Sequence, residues 1–136
     1  MKLAYLRKQT LLILSLVASV CIFVLSGCEI VDPQAEQIAA NTYIQLVDWH
    51  ISGLWVINSP VAWVRVTNMN DLPIHEINFE YEAFAADGRT LNKGDFTIEG
   101  TVPAHTTKNF IELYLGLVDL YTERLSIKLK HVRRAD

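Results

Sequence analysis

Apolar and polar positions change their spacing along the chain, and the change separates two kinds of segment. Leu11 to Leu25 is an almost unbroken apolar run of about 15 residues behind Lys2, Arg7 and Lys8. A membrane-spanning helix needs about 20 apolar residues, so the run fits the apolar middle of an export signal, which follows a positive start. From Thr42 onward the spacing is that of strands. Tyr43, Val47 and Trp49 alternate with Ile44, Leu46 and Asp48 in a mostly apolar segment that predicts a buried strand, with breaks expected at Gly53 and at Asn58-Ser59-Pro60. Val64 and Val66 alternate with Trp63, Arg65 and Thr67, and turn residues run from Asn68 to Pro73. The sharpest alternation sets Ile77, Phe79, Tyr81, Ala83 and Ala85 against Asn78, Glu80 and Glu82, one face for a core and one for water.

Asp87-Gly88 predicts a tight hairpin turn, from which Thr90 to Ile98 returns as a strand. In the next strand Phe110, Glu112 and Tyr114 alternate with Asn109, Ile111, Leu113 and Leu115, and both faces look largely apolar. In Gly116 to Arg124 a short helix would put Val118, Tyr121 and Leu125 on one side, but the segment reads as a long loop with a helical turn. The final strand, Leu125 to Val132, sets Ile127 and Leu129 against Ser126, Lys128 and Lys130. Short strands separated by turns, with little helix and no repeats, predict an all-β fold, an antiparallel sandwich of the immunoglobulin-like kind. Its expected core is Val64, Val66, Ile77, Phe79, Tyr81, Ile127 and Leu129.

The apolar run ends in Leu25-Ser26-Gly27-Cys28, which resembles the lipobox of bacterial prolipoproteins. The resemblance implies cleavage before Cys28 after its thiol has received a diacylglycerol, with membrane anchoring through that lipid. It divides the chain into a signal peptide over 1–27, a lipidated N-terminus and tether over 28–41, and a sandwich domain over 42–136. Asp32-Pro33 has the form of a helix start, an acidic cap before proline. The tether is therefore either one or two helical turns through Gln37 or a spacer that lifts the domain off the bilayer. Glu29 follows the cysteine, which by resemblance to lipoproteins of two-membrane bacteria favours the outer membrane over the cell membrane.

Charge and cysteine content narrow the function classes. Of 12 Lys and Arg residues 3 lie in the signal, whereas all 15 acidic residues follow it, so the mature chain carries a charge of about −6 with His neutral. Nucleic-acid binding needs a basic face, and the basic cluster Lys128 to Arg134 reads as the solvated end of a strand. Cys21 would leave with the signal and lipid would occupy Cys28, so the mature domain must be held by its core without a disulfide.

Val64-Arg65-Val66-Thr67-Asn68, Asp71-Leu72-Pro73-Ile74, Ile77-Asn78-Phe79 and Tyr81-Glu82-Ala83-Phe84-Ala85-Ala86-Asp87-Gly88 together resemble the FxLYD-type domain over roughly Val61 to Val132. That family is a small immunoglobulin-like sandwich common in bacterial lipoproteins. Tyr81, Ala83 and Phe84 stand where its Phe, Leu and Tyr are expected, and Ala85 replaces its Asp. The resemblance implies no catalytic residues.

The residues themselves carry little chemistry. His50, His75, His105 and His131 lack the short spacing of a zinc site, and no cofactor or metal is expected. Glu76, Glu80 and Glu82 fit the wet face of a strand better than a catalytic pair. There is no Gly-x-Ser-x-Gly elbow and no phosphate loop, so an enzyme is not expected. Trp49 and Trp55 suit core filling. Trp63 is different, because inward Val64 and Val66 leave Trp63, Arg65 and Thr67 facing out. Either the tether or the Gly116–Arg124 loop covers that tryptophan, or it belongs to a partner surface, where Trp and Arg are enriched. The expected role is a membrane-anchored, extracytoplasmic binding or structural accessory module of the cell envelope with an envelope protein partner. The alternative is a small-molecule or metal-binding envelope sensor.

Overall fold

The computed structural model describes residues 33–54 and 57–135. Among them one helix, α1 (Pro33–Ala40), precedes six strands: β1 (Thr42–Leu54), β2 (Ile57–Asn68), β3 (Ile74–Phe84), β4 (Thr90–Ile98), β5 (Thr106–Tyr114) and β6 (Arg124–Arg134). They form two antiparallel three-stranded sheets, ordered β1-β2-β5 and β4-β3-β6. Pairing β2 with β5 and β3 with β6 interleaves the chain between layers, as in an immunoglobulin-like sandwich.

Period-two alternation in the central strands supplies the inner faces. Ala62, Val64 and Val66 of β2 and Ile77, Phe79, Tyr81 and Ala83 of β3 are buried in one cluster with Ile98, Leu125 and Val132. Ile127 and Leu129 are half-buried against it, and Phe79 meets Phe96 with ring centroids 5.6 Å apart. The Tyr81 hydroxyl sits where any residue larger than glycine at 94 or 116 would intrude, because a Cβ there would lie 2.6 or 2.5 Å from it. Burial, and then the nearby charge of Asp95, push the Tyr81 pKa up.

Three features depart from the simple alternation. β1 is a half-buried edge strand rather than a buried one. An irregularity between Leu46 and Asp48 changes its phase, so that Ile44, Leu46 and Trp49 pack on the core while Tyr43 and Val47 are exposed. Asn58-Ser59-Pro60 lies inside β2 instead of breaking it, and Gly53 keeps its pairing with Asn58. The turn after β3 is longer than a two-residue hairpin. Gly88 N–H donates to Ala85 O (3.0 Å), Ala85 N–H donates to Arg89 O (2.9 Å), and only Gly88 takes a positive φ, of 85°. That is a three-residue loop closed by a left-handed glycine.

The tether region is also more ordered than a spacer. α1 extends past Gln37 to Ala40, its Ile38 is buried in the core, and the compact unit begins at Asp32. An asparagine cluster holds it. Thr42 Oγ1 donates to Ile38 O (2.8 Å), Asn70 Nδ2 donates to the same carbonyl (3.1 Å), and Asn70 N–H donates to Asn68 Oδ1 (3.0 Å). Asn68, fully buried, places Nδ2 within 2.9, 3.2 and 3.0 Å of the carbonyls of Leu72, Val102 and Pro103. Buried carbonyls need such donors, so this cluster joins α1, the start of β1 and both loops at one end of the sandwich.

Candidate functional site

The two sheets turn different outer faces to solvent. On β4-β3-β6, Glu80 pairs with Lys93 (2.9 Å), Asp95 with Lys130 (3.0 Å) and Glu76 with Arg133 (2.9 Å), so Lys130 and Arg133 of the terminal basic cluster each meet an acid. On β1-β2-β5 the outward positions of β2 are Trp63, Arg65 and Thr67, of which Trp63 and Arg65 are exposed and Thr67 half-buried. Arg65 Nε donates to Asn109 Oδ1 (3.0 Å), and the hydroxyls of Thr67 and Thr107 are 3.0 Å apart. Both are held by the strand opposite, which fixes their place beside the tryptophan.

Trp63 stands between two bulges. β1 has Val47 as an extra residue before the Asp48–Trp63 pair, and β5 shifts register between the partners of Ala62 and Val64, with Glu112 at a φ of 56°. A bulge adds one residue and re-aims its neighbours. Here the two bulges bring Val47 and Ile111, which are 45% and 59% exposed, to an open groove with Trp63, Val64, Arg65 and Asn109. Trp63 itself is 42% exposed.

Neither proposed cover from the described part of the chain buries it. The connection after β5 is bound at the opposite end from α1, with Val118 N–H donating to Asn58 O (2.8 Å), Glu123 N–H to Phe84 O (2.8 Å) and Asp119 N–H to Asn92 Oδ1 (3.0 Å). It contains a single turn at Asp119–Thr122 and no helix; Val118 and Leu125 are buried, but Tyr121 is 78% exposed rather than sharing their side. The same loop exposes Leu117 and Leu120, and Ile57 is exposed at the start of β2. Sequence reasoning missed this apolar tip, although five apolar residues in Leu115 to Tyr121 are a signal of more than a solvated loop.

The remaining candidates do not converge. His105 pairs with Asp71 (2.8 Å) on the surface, and among the described residues no group of three or more His, Cys, Asp or Glu side chains gathers where a metal ion could be held. Among the described residues no helix is long and apolar enough to cross a membrane. Leu25, Ser26, Gly27 and Cys28 lie outside the described residues, as does Trp55. No family model, curated protein or solved structure matches the chain.

Proposed function

We propose that the chain is a lipoprotein of the cell envelope, anchored through lipid on Cys28 and facing the periplasm or exterior, which binds a protein partner through the Trp63 face. The observation that carries the binding role is an exposed Trp63 beside Val47 and Ile111 in a groove whose one charged lining residue is Arg65. Interface centres combine apolar and aromatic area with Arg and few other charges, and Trp and Arg are the residues whose truncation most often weakens association. The anchoring role rests on Leu25-Ser26-Gly27-Cys28 behind a short apolar run. A mature lipoprotein carries two or three acyl chains, and two suffice for stable anchoring.

The test recovers partners from detergent-solubilised envelope with wild-type, Trp63→Ala and Cys28→Ser protein. Wild type should bring down one stoichiometric protein that Trp63→Ala loses while keeping its fold. Cys28→Ser should accumulate as an unlipidated precursor. A co-purifying small molecule without any protein partner would instead favour an envelope sensor, and an unmodified Cys28 in the mature protein would overturn the anchoring role.

A further inference from the structure

We propose that the α1 end of the sandwich lies against the headgroup layer of the bilayer that anchors the chain; this rests on the lipoprotein reading above. Only four residues, Glu29 to Asp32, separate Cys28 from Pro33, where α1 begins. Five extended steps span at most about 17 Å. Part of that length lies within the interfacial region itself, which is roughly 5 to 8 Å deep on each side of the bilayer.

No slack is added after Pro33, because α1 is bound to the sandwich. Ile38 is in the core, its carbonyl accepts from Thr42 and Asn70, and Met69 N–H donates to Asn41 O (2.9 Å) directly after the helix. Pulling the helix away to lengthen the leash would uncover Ile38 and take its carbonyl from Thr42 Oγ1 and Asn70 Nδ2. The gap left between domain and membrane is therefore about the width of one helix, 10 to 12 Å, or less.

The surface presented there suits headgroups rather than acyl chains. Gln37, Met69, Asp71, His105 and Arg134 are exposed at this end, and Asp71 and Arg133 are paired with His105 and Glu76. Both signs of charge are present, so the lipid, and not a basic patch, supplies the attraction. β2 extends 12 residues from this end, which at about 3.3 Å per residue holds Ile57 and the Leu117–Tyr121 loop some 35 Å away.

Lipidated protein is reconstituted in vesicles of phosphatidylethanolamine and phosphatidylglycerol carrying nitroxide-labelled headgroups. A single fluorophore is placed at Met69→Cys, at Arg134→Cys as a second point on the α1 end, or at Leu120→Cys on the far loop. Quenching at 69 and 134 should exceed that at 120 at least threefold. Inserting twenty Gly and Ser residues between Val31 and Asp32 adds about 25 Å of coil and should remove most of the difference. Equal quenching at all three positions, or stronger quenching at 120, in protein whose Cys28 lipid is verified by mass would overturn the apposition alone. Absence of the lipid would overturn the lipoprotein reading, and the apposition with it.

Discussion

The outer faces of the two sheets are built on the same strand periodicity and end with opposite surfaces. On β4-β3-β6 the outward strand positions carry charges of both signs, three pairs of which meet across the strands: Glu80 with Lys93, Asp95 with Lys130 and Glu76 with Arg133. On β1-β2-β5 the outward positions hold Tyr43, Val47, Trp63 and Ile111 together with Asp48, paired in register with Trp63, and Arg65, held by a neutral asparagine. A solvated sheet face needs only polarity and looks like the first. The second keeps apolar area in water, which is tolerated singly but gathered here beside one groove. The comparison teaches that exposure alone does not mark Trp63; its neighbours do.

The largest effect should come from beneath both faces. Phe79 is fully buried between the sheets, so Phe79→Ala should cost about 3 to 5 kcal/mol in denaturant unfolding, a large part of a typical total of 5 to 15. A loss under about 1 kcal/mol would mean that the two faces do not share one core. Next, Asn68→Ala removes the donor to the Leu72 carbonyl and the acceptor of the buried Asn70 N–H, and should cost about 1 to 3 kcal/mol. Proteolysis near α1 should rise in that variant if the cluster holds the helix down.

Trp63→Ala and Glu80→Ala then compare the faces directly. Trp63 is partly covered by its neighbours, so its loss should cost about 1 kcal/mol and abolish partner recovery. Glu80→Ala should stay within about 0.5 kcal/mol and leave recovery intact, as changes on a solvated face usually do. Equal effects of the two on recovery would erase the distinction between the faces.

The smallest effect concerns alkaline pH. Burial raises the Tyr81 pKa above 10.0, so the unfolded chain releases that proton before the folded one does. The stability involved is complete below pH 10 and falls as pH rises through the raised value. Melting temperature should therefore drop less steeply above pH 10 in Tyr81→Phe than in wild type. Identical slopes would show that Tyr81 does not titrate differently in the fold.

Much of this protein was determined by its sequence. Val64 and Val66, and Ile77, Phe79 and Tyr81, fall on inner faces because side chains alternate strictly along an unbroken strand. Trp63 faces out for the same reason, and Gly88 turns the chain because it accepts a positive φ. Only the tertiary structure decided the rest of the site. A single extra residue shifts the phase of a strand, and whether it is inserted depends on the strand paired beside it. That is why Tyr43 and Val47 parted from Trp49, why β5 looked apolar on both faces, and why Val47 and Ile111 came to flank Trp63. The docking of α1 was decided in the same way. Its eight residues are too few to hold a helix alone, and the Asn70 amide that donates to its Ile38 carbonyl is 32 residues away in the chain.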